Sequence, residues 1–311
     1  MPLESLAALP ADVEAVAHRV VHGGELREPA LIDDELEARL RRLVELAPLH
    51  NAPAVEAIAE ARRVMPEVPH VAVFDTAFHK TIPAAAATYA LPERWRRQIR
   101  RYGFHGLSVQ WATGQVPAPR LVVCHLGGGC SVTAVRDGRS VDTTMGFTPL
   151  EGVPMATRPG TVDPGALLYL IRQGVPTEEL DDQIERHSGL LALSGMSGDV
   201  AKLERSDDPV AAFALELFAY RVATAVGAMA VALRGLDALV FTAGVGEHSA
   251  RLRRDVCAHL GFLGVELDEA RNDHAEPDAE LGRPGAVRVV AIRAREELVA
   301  ARAARALLSH S

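Results

Sequence analysis

Apolar positions along this chain follow two spacings, which together predict alternating helices and strands. Residues 33–46 carry apolar side chains three or four positions apart, for example at Leu36 and Leu40, which is typical of an amphipathic helix. A second helix is predicted over 55–64. Shorter continuous apolar runs have the length of strands buried in a sheet. They cover residues 13–21, 68–74, 121–126, 131–135, 238–242 and 287–292.

Glycines or carboxylates follow the ends of several predicted strands. One strand runs into Gly127–Gly129, and another runs into Gly244–Glu247, followed by a charged helix that begins near Ser249. Asp75 comes directly after a third strand, and Glu296 lies between the last strand and a closing helix. Strands that alternate with helices predict an α/β fold. Because ligands in such folds bind beyond the carboxyl ends of the strands, we expect these residues to face one cleft.

In two further segments, charged residues or prolines decide which structure is predicted. The longest apolar stretch, 211–236, contains three charged side chains, which are costly in hydrocarbon. It therefore predicts a buried helix rather than a membrane span. The prolines at Pro48 and Pro53 predict a loop that contains His50 and Asn51.

The composition and the net charge argue against some classes of function. The 311 residues include 41 acidic and 33 basic side chains, for a formal net charge of -8, which argues against a general nucleic-acid binder. Cys124, Cys130 and Cys257 show no paired metal-binding spacing, and their odd number leaves at least one free thiol. No basic segment followed by an apolar core opens the sequence, so no secretory signal is predicted. We expect a cytoplasmic protein that binds neither nucleic acid nor membrane.

The two glycine clusters are candidate anion sites. The first, His125 to Ser131, lets backbone N–H groups approach an anion without interference from Cβ atoms. The second, Gly244–Glu247, opens a helix, whose N-terminus favours negative charge. Either cluster alone could equally well be a tight turn that binds no ligand. Two clusters on successive strand ends favour nucleotide phosphates.

Two arginines are candidate anion ligands. Arg19 lies in a predicted strand and is expected to be partly buried, which requires an anionic partner. Arg158 lies in the loop Thr157–Gly160, where its planar guanidinium could bind a carboxylate or phosphate through two parallel hydrogen bonds. A structural salt bridge is the alternative for each.

The histidines divide into two groups. His18 and His22 have the spacing of a helical zinc pair, but no glutamate lies between them, and on a strand they are too far apart to share one ion easily. Zinc is therefore not predicted. His105 lies close to Gly103 and Gly106, which suggests backbone near a ligand, with a hydrogen-bonded core histidine as the alternative.

Asp75 and Glu296 are the candidate magnesium ligands, because carboxylates at strand ends can bind Mg²⁺ directly or through water. For Asp75 the alternative is a helix N-cap. The candidate residues together fit phosphoryl transfer, which requires charge neutralisation and in-line positioning. They comprise two arginines, a histidine, carboxylates and two glycine turns.

The segments that carry this chemistry resemble, in order, those of the acetate kinase family. They are His18–Glu25, Ala47–Asn51, Val73–His79, Tyr102–Gly106, Met145–Gly152, Thr157–Gly160 and Phe241–Glu247. The resemblance covers nearly the whole chain from about Val13. It implies an α/β fold with two ribonuclease-H-like domains, as in actin-like ATPases, with ATP and Mg²⁺ in the cleft, and usually a homodimer.

The resemblance also implies site residues. Arg19 and Arg158 would bind the substrate carboxylate and stabilise the transferring phosphoryl group, with His105 and Asp75 as further catalytic residues. A pocket for the acyl methyl group would be formed by Val21, Leu49, Phe104 and Pro149. Contacts to ATP would come from His125, Leu126, Gly127, Gly128 and Gly129, from Asp199, Val200 and Ala201, and from Gly244, Val245, Gly246, Glu247 and His248. Glu296 would bind magnesium.

The implied reaction is reversible, in-line transfer of the γ-phosphoryl group of ATP to acetate, giving acetyl phosphate and ADP. The alternatives are a propionate kinase and a catalytically inactive relative. Nothing before Val13 resembles the family's glycine- and serine-rich phosphate loop, so the resemblance implies an incomplete amino-terminal domain. We expect this domain over 1–79, completed by 297–311, and a nucleotide-binding domain over 80–296. Local departures from the family pattern are Gly128 for Asn, Ala201 for Arg, His248 for Asn, and Ala294-Arg295 for Thr-Asn.

Overall fold

The structure, a computed structural model, describes residues 13–309, apart from the side chains of Leu46, Pro48, Leu49 and His50. The chain separates into two compact units. Among the described residues, unit 1 contains 13–80, 102–111 and 295–309, and unit 2 contains 81–101 and 112–294.

The strands are numbered in chain order. They are β1 Val16–Val20, β2 Ala30–Leu31, β3 His70–Phe74, β4 Arg120–Leu126, β5 Cys130–Arg136, β6 Arg139–Thr143, β7 Ala238–Thr242, β8 Ala279–Glu280 and β9 Arg288–Ile292. All the predicted apolar runs contain a strand; β3, β4, β5, β7 and β9 are buried over most of their length, as continuous apolar segments in a sheet are, whereas β1 is only partly buried.

The α-helices are numbered in the same way. They are α1 Asp34–Arg42, α2 Pro48–Val64, α3 Ala84–Ala87, α4 Glu93–Arg96, α5 Gly106–Gln115, α6 Pro164–Arg172, α7 Thr177–Arg186, α8 Gly189–Ser194, α9 Val200–Glu204, α10 Pro209–Leu233, α11 Ala243–His248, α12 Ala250–Ala258, α13 Glu269–Asp273 and α14 Glu296–Leu308.

Unit 1 contains a three-stranded sheet in the order β1-β3-β2, with β1 parallel and β2 antiparallel to β3. Helix α1 begins at an N-cap, where the Asp33 carboxylate accepts the backbone N–H of Leu36 at 2.7 Å. Such a cap contributes about 1 kcal/mol. The apolar face of α1, including Leu36 and Leu40, packs with Ile58 of α2 in the core of the unit. The predicted helix at 33–46 is confirmed, although its last residues form a 3-10 turn.

The predicted loop at 48–53 is wrong, because these residues open helix α2. Pro48 lies in the first turn, where a missing N–H costs nothing, and Pro53 faces solvent. The Asn51 side chain accepts the N–H of His22 at 3.0 Å and donates to its carbonyl oxygen at 3.0 Å. These two hydrogen bonds join the first turn of α2 to the segment that follows β1.

Unit 2 is built on a six-stranded sheet in the order β6-β5-β4-β7-β9-β8. Strands β4, β7 and β9 run parallel, and β5, β6 and β8 are antiparallel to their neighbours. The carboxyl ends of the three parallel strands therefore meet at one edge of the sheet. The segments that follow them begin at Gly127, Ala243 and Arg293, so this edge brings the two glycine clusters together as predicted.

Helix α10 is long and apolar enough to cross a membrane by length and composition. In unit 2 it packs against β4, β5 and the helices α8, α9 and α12. Its buried side chains include Phe218, Val222 and Val226. This packing confirms the prediction of a buried core helix over most of 211–236.

Candidate active site

Arg19 and Asp75 meet in unit 1 because β1 and β3 run side by side in parallel, with Arg19 opposite Val73. The Arg19 Nε atom lies 3.2 and 3.1 Å from the two carboxylate oxygens of Asp75, and Nη2 lies 2.7 Å from Oδ2. The Asp75 side chain is fully buried, whereas 37% of the Arg19 side chain is exposed. Arg19 therefore has anionic partners within the chain, and this pair is the structural salt bridge given above as the alternative to an anion-binding role.

The Asp75 carboxylate also accepts backbone hydrogen bonds from His105 and Leu107, at the start of α5. It therefore caps a helix thirty residues further along the chain, rather than the turn that follows it directly. Burial raises the pKa of Asp75, and the Arg19 guanidinium and the two backbone N–H groups partly offset this rise.

His105 adopts a left-handed backbone conformation, with φ of 58°. A non-glycine residue in this region costs roughly 1–2 kcal/mol, and the surrounding contacts hold it there. The N–H of Gly106 donates to the carbonyl oxygen of Asp75 at 3.1 Å, and a Cβ atom at Gly106 would lie only 2.0 Å from that oxygen. On the other side, the ring Nε2 of His79 lies 2.8 Å from the Phe104 carbonyl oxygen. These contacts bring His105 beside Asp75.

Glu296, the first residue of α14, completes this charged group. Its Oε2 atom accepts a hydrogen bond from Arg19 Nη1 at 2.5 Å. Its Oε1 atom is buried and has no hydrogen-bond partner among the described residues. Burial raises the pKa of Glu296, as do Asp75 and Glu297, while Arg19 lowers it.

A free carboxylate oxygen suits Mg²⁺, which prefers oxygen ligands. Residues 13–309 contain no group of three or more His, Cys, Asp or Glu side chains that could hold a metal ion. A magnesium ion at Glu296 would therefore depend on water and phosphate oxygens for its other ligands, as it commonly does in phosphoryl-transfer enzymes.

The residues expected to form the acyl pocket belong to both units. Val21 is partly buried and Phe104 is buried in unit 1, where the Phe104 ring contacts the His22 ring edge-on at 5.4 Å. Pro149 is buried in unit 2. The side chain of Leu49 lies outside the described residues.

In unit 2, the first glycine cluster forms a tight turn after β4. The N–H of Gly127 donates to the Gly129 carbonyl oxygen at 3.0 Å, and the Gly128 carbonyl oxygen accepts from the N–H of Ala156 at 3.2 Å. A Cβ atom at Gly127 would lie 3.5 Å from the Cβ of Ala243, whereas one at Gly128 would meet nothing within 4 Å. The two glycine clusters are therefore neighbours, and Gly128 faces open space.

The second cluster, predicted as a turn, forms the short helix α11. Arg253, which was not among the predicted residues, holds this helix. Its guanidinium donates to the carbonyl oxygens of Gly246 and Glu247 at 3.0 and 2.8 Å, and to Asn272. Arg253 is only 1% exposed, and burial lowers its pKa. Its position next to Leu252, on the buried face of α12, was the available signal.

The remaining residues expected at the nucleotide also lie in unit 2. His125 is buried at the end of β4. Glu247 is buried, and its Oε1 accepts the N–H of Ala294 at 2.8 Å, which ties α11 to the end of β9, whereas His248 is exposed. Asp199 is the N-cap of α9, where its carboxylate accepts the N–H of Ala201 at 3.0 Å.

Arg158 is 8% exposed, in the loop between β6 and α6. Its Nη1 atom donates to the Pro149 carbonyl oxygen at 3.0 Å. Burial lowers its pKa, which Glu185 and Cys130 partly offset. Among the described residues it forms no ion pair within 4 Å, so the alternative of a structural salt bridge is not supported.

Residues 3–302 match the family model of the acetokinase family. An acetate kinase from Synechococcus sp. is 46% identical over 318 residues, which is 98% of this chain and 79% of that protein. An acetate kinase from Gloeobacter violaceus is 47% identical over 310 residues, or 94% of this chain and 76% of that protein.

The solved structures that are similar to this chain include kinases of the same kind. A propionate kinase from Francisella tularensis superposes with a TM-score of 0.88 at 37% identity, covering 93% of this chain and 78% of that one. An acetate kinase from Entamoeba histolytica gives a TM-score of 0.90 at 31% identity, covering 98% of this chain and 84% of that one. The predicted α/β, actin-like kinase fold is thereby confirmed, and the chain belongs to the acetokinase family.

Proposed function

We propose that this protein is an acetate kinase, which transfers the γ-phosphoryl group of ATP reversibly to acetate. An oxygen of the acetate carboxylate attacks the γ-phosphorus atom, the bond from that atom to the bridging oxygen of ADP breaks, and acetyl phosphate and ADP result. The observation that carries this proposal is Arg158, a buried cation with no carboxylate partner within 4 Å among the described residues. A buried guanidinium of this kind favours binding an anion.

The cations and His105 would stabilise the charge that develops during transfer. Arg158 would donate to the oxygens of the transferring phosphoryl group, and His105 would hydrogen-bond the same group. Arg19 would bind the substrate carboxylate through donors left over from its pairs with Asp75 and Glu296. Asp75 would hold Arg19 in position, because its carboxylate is fully buried and bonded to that guanidinium.

ATP binding is proposed at the carboxyl edge of the unit 2 sheet. The adjacent clusters Gly127–Gly129 and Gly244–Gly246 support it, since backbone there can approach phosphates without Cβ interference. Asp199 would lie near the nucleoside. Glu296 would hold Mg²⁺ through its unpaired Oε1 atom. When bound, the ion would neutralise negative charge on the phosphate oxygens.

Acetate and propionate differ by one methylene, which is worth only about 1–3 kcal/mol of discrimination. Both acetate and propionate kinases are among the similar structures. The acyl pocket proposed from Val21, Leu49, Phe104 and Pro149 is therefore to be tested with both acids. Comparing kcat/KM for acetate and propionate decides which is the better substrate.

We further propose that units 1 and 2 are the two ribonuclease-H-like domains and that the protein is a cytoplasmic homodimer. Exposed large apolar side chains on unit 2 support a dimer, since subunit contacts bury such side chains. They include Leu168 and Tyr169 of α6 and Phe213 and Tyr220 of α10. The three cysteines are free thiols, which suits a reducing compartment. Sedimentation analysis tests the dimer.

A hydroxamate assay with ATP, Mg²⁺ and acetate tests the main proposal. We expect acetyl phosphate formation well above that of Arg158→Ala. If the full chain forms no more product than this variant while still binding ATP in calorimetry, the protein is a non-catalytic relative and the proposal is refuted.

A further inference from the structure

The loop of residues 145–152 in unit 2 is fastened at both ends by one group of side chains. Arg101 Nη1 donates to the carbonyl oxygens of Thr143, Thr144 and Met145 at 2.9, 2.9 and 3.1 Å. Its Nη2 atom donates to Glu151 Oε1 at 2.8 Å. One guanidinium therefore joins the start of the loop to its end.

Tyr89 adds a second connection across the same loop. Its hydroxyl group donates to Glu151 Oε2 and accepts the N–H of Phe147 at 3.0 Å. A Cβ atom at Gly146 would lie 1.7 Å from Glu151 Oε2 and 2.1 Å from the Tyr89 oxygen, so a larger residue there would displace these two side-chain ends. We call Tyr89, Arg101 and Glu151 the latch. Most of its surface is buried, with Arg101 16% and Glu151 31% exposed.

The latched loop contacts Arg158 and the chain that follows it. The Pro149 carbonyl oxygen accepts from Arg158 Nη1 at 3.0 Å. At the end of the loop, Gly152 donates its N–H to Thr161 Oγ1 at 3.1 Å and accepts the N–H of Thr161 at 2.8 Å. Glu151 lies between these two attachments, so movement of its carboxylate would be transmitted to both.

We propose that Tyr89, Arg101 and Glu151 are positioning residues that set the direction of the Arg158 guanidinium. This inference rests on the proposed function, in which Arg158 stabilises the transferring phosphoryl group. Holding one Nη atom at the Pro149 carbonyl leaves the other donors of the guanidinium free for an anion. A displacement of about 1 Å at such a group can lower the rate by roughly 100-fold.

The kinetic test uses Tyr89→Phe, which removes both hydrogen bonds of the hydroxyl group, and Glu151→Gln, which removes the charge that pairs with Arg101; both keep the side-chain shape. We expect each to lower kcat by roughly 10-fold with little change in KM for ATP. When combined with Arg158→Ala, each should have almost no further effect, because the latch acts through Arg158. Asp237→Asn is the matched control, since it removes the charge and one of the two acceptor oxygens that Arg120 contacts at the other end of β4. An equal loss with and without Arg158 overturns the proposal.

A chemical test works without catalytic activity. Phenylglyoxal modifies accessible arginines, and peptide mass spectrometry follows Arg158 separately from exposed Arg186. We expect Arg158 to react at least about 5-fold faster in both latch variants, with Arg186 unchanged. Unchanged protection of Arg158 in folded variants overturns the proposal. An inactive wild-type protein in which the latch variants still expose Arg158 refutes the proposed function alone.

Discussion

Arg19 contacts both carboxylate oxygens of Asp75, a residue 56 positions away, at distances between 2.7 and 3.2 Å. The pair forms because β1 and β3 are parallel neighbours. One partner is fully buried and the other is partly exposed, so the pair joins the interior of unit 1 to its surface. Its consequences for stability and turnover can be measured separately.

Asp75→Asn keeps the shape of the side chain and removes its charge. We expect the free energy of unfolding to fall by about 1–3 kcal/mol, because a charged hydrogen-bonded network loses its anion, and we expect kcat to fall. Urea denaturation measures the first effect. Glu28→Gln, which removes an exposed pair with Lys80 in the same unit, should change stability by no more than about 1 kcal/mol. Equal stability of the two variants would contradict this account of Asp75.

Arg158→Ala separates catalysis from stability. We expect kcat to fall by about 10²–10³-fold, since one well-placed donor in a water-excluded site is worth that much. The melting temperature should not fall appreciably, because the buried Arg158 forms no ion pair within 4 Å among the described residues. The hydroxamate assay and calorimetry measure the two effects. Normal turnover in this variant would show that the phosphoryl-stabilising cation lies elsewhere.

Two histidines, His18 and His79, are expected to contribute stability that rises between about pH 4 and pH 6.5, whereas buried carboxyl groups with raised pKa values, such as Asp75 and Glu296, contribute in the opposite direction. Burial lowers the pKa of His79 to about 4, and burial with the nearby His70 lowers the pKa of His18 to about 4. Both are neutral in the folded state over this range, whereas the unfolded chain, with a usual pKa near 6.5, binds more protons as the pH falls. These two histidines therefore disfavour folding at acid pH.

For His79 this linkage amounts to at most about 3 kcal/mol. Urea denaturation at pH 4.5 and pH 7.0 measures the difference. His79→Gln, which can still donate to the Phe104 carbonyl oxygen, should make the dependence shallower. The same pH dependence in the wild-type protein and in His79→Gln is the result that excludes a neutral buried His79.

Arg253 and Arg254 offer an adjacent pair for comparison. Arg253→Met removes the hydrogen bonds to Gly246 and Glu247, and we expect it to cost about 2–4 kcal/mol and to weaken ATP binding. Arg254→Met removes only exposed pairs with Glu269 and Asp273 and should cost less than about 1 kcal/mol. Thermal unfolding and titration calorimetry with ATP check both. Similar ATP affinities for the two variants would remove the role given to Arg253.

Two glycines should respond oppositely to alanine. Gly106→Ala places a Cβ atom 2.0 Å from the Asp75 carbonyl oxygen, and we expect loss of stability and of turnover. Gly128→Ala points into open space and should change stability by less than about 1 kcal/mol. Thermal unfolding distinguishes them. Equal melting temperatures for the two variants would mean that α5 does not begin against Asp75.

Much of the secondary structure could be predicted, because the spacing of apolar residues and the capping residues determine it locally. The strand at Ala238–Thr242 and the helix start at Ser249 follow directly from an apolar run and a capping residue. The predicted helix over 55–64 is confirmed, but the earlier part of helix α2, Pro48–Val64, could not be predicted in the same way. Its first turn depends on hydrogen bonds from Asn51 to His22, and no local spacing encodes a partner 29 residues away.

The same distinction between local pattern and distant partner applies to the candidate site. The sequence by itself determined which residues carry the chemistry, because Arg19, Asp75 and Arg158 stand out by type and by their neighbours, and it determined the family. Only the tertiary structure decided their partners: Asp75 caps α5, and Arg158 rests on a backbone carbonyl instead of a carboxylate. The physical reason is that strand pairing and loop closure choose which distant groups meet, and a buried charge takes its properties from those groups.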